Sequence, residues 1–447
     1  MMRLIETIKN IWKIEDLKIK IGITLLFILI YRFGSFIVLP GIDPASLVNL
    51  KSQTSGGLLA LLDMFSGGAF SNASIFALGI MPYISASIVV QLLTIAVPYF
   101  QKMQKEGESG RRRMNQITRY LTVAILLLQG PSYLINIHAQ VQNAGATMPT
   151  GFFFNASSTL ILCAGSMFVM WLGERMTDKG IGNGISMLIM IGIIARLPQA
   201  LTQELITRMN DSGAGGLVMF LVEIVIFLVV IGAAILLVQG TRKIPVQYAK
   251  RVVGNKQYGG VRQYLPLKVN AAGVMPIIFA QAIMMVPVMF TLGSSNPGGF
   301  IRALIDTQGF WHNFILAVFI IAFTYFYTAI TFNHNQIAEE MKRNNGFIPG
   351  VKPGKQTAEY IDTIMSRIVL PGSIFLAVIA IMPAFARFFK ITTGFSQFFG
   401  GTSLLILVGV VLDTLQQIES HLLMRHYDGL LKSGGRIKGR SGSMAAY

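Results

Sequence analysis

An all-α protein of about ten membrane-spanning helices is predicted by three features: an apolar composition, uncharged blocks of a particular length, and basic residues confined to alternate connections. Of the 447 residues, 53% are apolar and only 13% charged, with a mean hydropathy of +0.59, whereas soluble domains carry about a quarter charged residues. Residues 73–97, 152–172, 269–292, 314–332 and 368–386 contain no Asp, Glu, Lys or Arg. Each such block matches the roughly 20 residues that cross about 30 Å of hydrocarbon. Backbone in lipid must satisfy its own hydrogen bonds, and these Gly- and Met-rich blocks lack the alternation of a barrel, which leaves helices.

In chain order, residues 21–39 form the first span, with Arg32 inside it. Basic residues precede it, but it is too long for the core of a secretory signal and ends at Pro40-Gly41 without a small-residue cleavage site, so it is predicted to be retained. Residues 56–68 are a short apolar stretch bracketed by glycine pairs. Too short to cross, they form either a half-helix or re-entrant segment lining a cavity, or an amphipathic helix on the membrane surface. Spans follow at 73–97, 121–137, 152–172 and 181–201, then at 217–238 with Glu223 inside, 269–292, 314–332, 368–386 and 402–423, the last interrupted by Asp413.

The basic excess is sided. Thirty of the 37 Lys and Arg residues lie in 1–20, 98–120, 174–180, 241–268, 333–367 and the tail after His421. The positive-inside rule then puts both termini on the cytoplasmic side. Two of these inner connections are long for a compact bundle, and long loops tend to be functional. Residues 241–268 interleave Arg242, Lys243, Lys250, Arg251, Lys256 and Arg262 with Tyr248, Tyr258 and Tyr264. Short β-permissive stretches flank Gly254-Asn255 and Gly259-Gly260, which predicts a hairpin-like finger. Residues 333–367 carry a Pro/Gly-punctuated tip around 346–354, followed by a helical stretch from Gln356 to Arg367. Fixing the topology explains the charge of these loops but not their length.

Catalytic and nucleotide motifs are missing. There is no G-x-x-x-x-G-K-[ST] loop, no His-Glu-x-x-His and no Gly-x-Ser-x-Gly, and the turn at 180–184 has no βαβ unit around it. Cys163 stands alone in an apolar block and the five histidines show no ligand spacing, so no disulfide, metal or cofactor is expected. Arg32, Glu223 and Asp413 read as scattered, without the midplane relay of a proton-coupled transporter. A protein that does not act as an enzyme and takes its energy from outside is expected. A secondary transporter of a small solute, which shares the span count and broken helices, is the alternative.

Several stretches together resemble the SecY/Sec61-alpha family of protein translocation channels along essentially the whole chain: Leu39-Pro40-Gly41-Ile42-Asp43, residues 71–88, residues 180–186, Tyr248-Ala249-Lys250-Arg251, residues 265–270 with Gly273 and Pro276, and Gly400-Gly401-Thr402-Ser403. The resemblance implies two inverted halves of five spans, residues 21–201 and 202–423, between a cytoplasmic segment 1–20 and a cytoplasmic tail 424–447. It implies a lateral opening between the second and seventh spans. It makes residues 56–70 a plug, with Leu58, Leu59, Leu61, Leu62, Met64 and Phe65 as its apolar side chains.

The family's constriction falls on Ile80, Ile84, Ile189, Ile193, Ile278 and Ile406. The first two pairs are each four residues apart and share a helix face, a spacing that by itself indicates ordinary core or lipid packing. As a ring they would gate by dewetting and accept any polypeptide sequence. The resemblance further implies translocation of secretory polypeptides across the bacterial inner membrane and lateral release of hydrophobic segments into lipid. Transfer energies of about −0.5 kcal/mol for Leu against about +3 kcal/mol for Arg would sort the two fates. SecE- and SecG-type small subunits, the SecA ATPase and the ribosome are the implied partners. Docking is expected at Arg242, Lys243, Lys250, Arg251 and Lys352, although relatives commonly carry arginine, a bidentate fork, where Lys352 offers a point charge.

Overall fold

The computed structural model describes residues 14–42, 63–143, 149, 151–210, 216–248, 251–253, 256–258, 262–291, 299, 303–304, 306, 309–386, 389 and 391–433. Its helices are α1 (Glu15–Gly34), α2 (Met81–Ala96), α3 (Pro98–Lys105), α4 (Glu108–Asn143), α5 (Phe152–Lys179), α6 (Gly184–Asn210), α7 (Gly216–Gln239), α8 (Met275–Thr291), α9 (Phe310–Thr331), α10 (His334–Arg343), α11 (Lys355–Ala386), α12 (Thr393–Ser396) and α13 (Gly401–Ser433). Among the described residues seven helices are long and apolar enough to cross a membrane, namely α4 to α7, α9, α11 and α13. The bent pair α2 and α3 makes an eighth if it counts as one span, and α1 and α8 are further helices of 20 and 17 residues.

Several predicted boundaries shift for local reasons. The block 73–97 is not one helix: residues 75–80 run as turns, and α2 begins only at Met81. Pro82 in its first turn is suited to a helix start, and positive φ at Ala73 (45°) and Gly79 (55°) keeps the preceding chain out of helix. Beyond α2 the chain turns through 101° into α3, which begins with Pro98. In the other direction, the basic stretch at Arg111-Arg112-Arg113 and the span 121–137 fuse into α4, and the helical stretch after the 346–354 tip fuses with the span 368–386 into α11.

The second half repeats one of these devices. Residues 269–274 run as turns, Gly273 takes φ +63°, and α8 starts at Met275-Pro276. The same Gly-x-Met-Pro pattern therefore opens α2 and α8, each of which follows the first long helix of its half.

Strands β1 (Thr241–Tyr248), β2 (Arg251–Val253), β3 (Lys256–Tyr258) and β4 (Arg262–Lys268) form the predicted finger. β1 pairs antiparallel with β4 from Thr241↔Lys268 to Gln247↔Arg262, and β2 pairs with β3 at its tip. A short β5 (Gly346–Phe347) adds to the far edge of β1, so the two long connections join in one sheet. Ile244 and Val246 alternate inward, as strand geometry requires, and pack with Leu267, Met341, Ile348, Ile361, Met365 and Val369. The most extensive helix pairings run α2–α4–α5–α6 and α8–α9–α11, and no such pairing joins α2 to α8 among the described residues.

Candidate functional site

Ile80 caps the start of α2, and the Ile84 N–H donates to the Ile80 carbonyl at 3.1 Å, so the two side chains rise on one face. Ile189 and Ile193 lie on α6, Ile278 on α8 and Ile406 on α13. These four helices bring all six isoleucines into a single hydrophobic cluster, where Ile80, Ile189, Ile193 and Ile406 are buried and Ile84 and Ile278 half-buried. Met64 and Phe65 are buried in the same cluster. Leu58, Leu59, Leu61 and Leu62 lie outside the described residues. Every member of the cluster is apolar or an aromatic with an apolar ring, so its centre presents dispersion contacts and no charge.

The turn that follows Phe65 is held by backbone contact and by two arginines. Gly67 and Gly68 take φ +65° and +91°, and a Cβ on Gly67 would lie 2.8 Å from the Gly192 Cα of α6. Only glycine fits such an approach. From α1, the Tyr31 hydroxyl donates to the Ser66 carbonyl at 3.2 Å and the Arg32 guanidinium to the Gly67 carbonyl at 2.8 Å. From α6, Arg196 pairs with the buried Asp63 carboxylate and donates to the Ser71 hydroxyl at 2.8 Å, while the Ser71 N–H donates to Asp63 at 2.7 Å. Ala69 is fully buried beside this turn, and Phe70 accepts at its carbonyl from the Tyr133 hydroxyl at 2.8 Å.

Arg32 and Glu223 each belong to a separate buried polar group, and no contact joins them to each other or to Asp413 among the described residues. Arg32 works with Arg196 on this turn. Glu223 belongs to a second buried group in which Arg208 pairs with Glu204 at 3.0 Å and with Glu223 at 2.5 Å, while the Glu204 carboxylate accepts the Thr392 N–H at 2.9 Å. Low dielectric forces such pairing, because a buried charge without a partner is costly. The spacing of Glu204 and Arg208, one helical turn apart, was legible; their partners on α7 and before α12 were not.

Of the expected docking residues, Arg242 and Lys243 are exposed on β1 and Lys352 is exposed on the turn before α11. Arg251 falls in β2, and Lys250 lies outside the described residues.

A mostly helical multi-pass membrane protein with an apolar cluster drawn from several helices and a buried turn packed beside it is the class these features define. A family model for SecY matches residues 74–415. The translocase subunit SecY of Streptomyces coelicolor is 41% identical over 434 residues, covering 94% of this chain and 98% of that one, and the SecY of Corynebacterium glutamicum is 42% identical over 442 residues at the same coverage. The chain belongs to the SecY family. Its fold is shared with a solved protein-conducting channel (TM-score 0.61, 16% identity, 94% of this chain and 95% of that one) and with canine Sec61 in a ribosome-channel complex from the endoplasmic reticulum (TM-score 0.57, 16% identity, same coverage).

Proposed function

We propose that this chain is the pore-forming subunit of a protein-conducting channel. It passes secretory polypeptides across the bacterial inner membrane and releases hydrophobic segments sideways into lipid, and no catalytic group takes part. The observation that carries this reading is the gathering of Ile80, Ile84, Ile189, Ile193, Ile278 and Ile406 from four helices into one cluster with Met64 and Phe65. A waist of this chemistry resists ions by dewetting and stays indifferent to the sequence threaded through it. The 56–70 segment acts as the plug, a role also named for a solved SecY relative of the same fold whose plug stabilises the closed state (TM-score 0.62, 16% identity). The light packing between α2 and α8 suits a lateral exit at that seam.

Energy comes from a partner, either the ribosome or a SecA-type ATPase, docking on β1 with Arg242 and Lys243, on β2 with Arg251, and on Lys352. SecE- and SecG-type subunits complete the assembly, and both termini face the cytoplasm.

A photoreactive residue placed at Ile84 or at Ile278 should form an adduct with a secretory chain stalled in transit. The same probe at Leu128, 76% exposed on α4, should capture lipid and no polypeptide. Absence of polypeptide adducts at both isoleucine positions would remove the reading.

A further inference from the structure

The apolar contacts of Met64 and Phe65 do not extend along the turn that follows them, since Ser66-Gly67-Gly68 has almost no side chain to bury. What anchors this turn is polar. Asp63 has a side chain only 5% exposed, and its carboxylate is shared between the Ser71 N–H and Arg196. The Arg196 guanidinium also donates to the Ser71 hydroxyl and lies over Gly68, where a Cβ would meet its Nη2 at 3.2 Å. One cation on α6 thus closes the loop 63–71 at both ends and covers its middle.

We propose that Arg196, through its ion pair with Asp63 and its hydrogen bond to Ser71, is the positioning residue that latches this segment shut, so that breaking the pair sets the threshold for opening the conduit. The proposal rests on the reading of the segment as a plug. Its physical logic lies in the asymmetry of the pair. A pair buried on both sides is costly to break because each separated ion loses water without recompense. Arg196, with a side chain 28% exposed, is left open on one side by the rest of the chain. When the segment leaves, Asp63 is carried with it into water and Arg196 is rehydrated where it stands, so the latch releases and recloses. Arg32 acts differently. Its hydrogen bond is to a backbone carbonyl, and its guanidinium also stacks on the Phe36 ring of its own end of α1, 5.1 Å from the centroid, so it steadies the turn without a charged partner on it.

The test is resting ion conductance in planar bilayers fused with membrane vesicles carrying the full chain, for Asp63→Asn, Arg196→Gln, the double variant, Ser71→Ala, and a chain lacking residues 58–65. Each charge variant should raise resting conductance roughly tenfold, the scale set by losing a partly exposed pair with its attached hydrogen bonds. The double variant should leak no more than either single one, because the coupled pair is already broken. Ser71→Ala, which keeps the ion pair, should leak less. Effects of the two charge substitutions that multiply in the double variant would overturn the latch, as would wild-type conductance in both singles. If the charge variants do not insert, Ser71→Ala decides, and wild-type conductance there overturns the proposal. A leaky deletion beside silent charge variants removes the latch and leaves the plug standing. A silent deletion removes the plug reading itself.

Discussion

The chain that leads into α2 and the chain that leads into α8 begin their helices with the same four-residue pattern, Gly-x-Met-Pro, and with the same left-handed glycine, yet they lie at opposite ends of the bundle. Residues 63–80 are nearly all buried, wedged against α1 and α6, and tied by Arg32 and Arg196. Strands β1 and β4 pair in a sheet whose inner face is apolar and on which Arg242, Lys243 and Lys268 are exposed. The comparison teaches that a local helix-start signal is neutral about function. A glycine-rich lead-in whose one charge, Asp63, is paired by Arg196 can be swallowed by the bundle, whereas one with a basic residue every few positions cannot, because burial of unpaired charge is prohibitive.

The largest effect that would sharpen this contrast is expected in the cytoplasmic sheet. Ile361, fully buried on α11 against β1 and β4, should cost about 2–5 kcal/mol when changed to Ala. Limited proteolysis should then cut the sheet readily while the spans remain intact, and simultaneous melting of the spans would show the two regions to be one cooperative unit.

Next come the glycines. Gly67→Ala forces both a left-handed residue, costing about 1–2 kcal/mol, and a Cβ against the Gly192 backbone at 2.8 Å. Gly273→Ala meets nothing within 4 Å at φ +63° and should cost the backbone term alone. Thermal melting in detergent, with resting conductance alongside, should therefore separate them, and equal behaviour would break the comparison.

The smallest effect on stability is expected at the exposed charges. Arg242→Glu with Lys243→Glu should leave melting unchanged while weakening ribosome binding. The slope of log affinity against log salt should become shallower by about one for each rRNA phosphate these side chains neutralise. Unchanged binding at physiological salt would take these residues out of the docking surface.

Much of the architecture was legible because membrane insertion is a local decision. Hydrocarbon tests each block of about 20 residues for charge, so the spans and their basic connections could be read one by one, and the finger followed from strand propensity around Gly254-Asn255. The isoleucines were legible only through family resemblance, since i, i+4 spacing is equally that of a lipid-facing or core helix. Boundaries at 73–97 and 269–292 were missed because a left-handed glycine ahead of Met-Pro outweighed the apolar run.

By itself, then, the sequence determined the helical class, the apolar blocks that make spans, and which connections are too charged to enter the membrane, all of them properties summed over neighbouring residues. Tertiary structure alone decided that β5 joins β1 across 98 residues (Gly346 against Tyr248), that Arg196 meets Asp63 and Arg208 meets Glu223, and that six isoleucines from four helices share one cluster. Those pairings join residues far apart in the chain, and only the packed fold specifies which charge reaches which partner in a medium where none can be left alone.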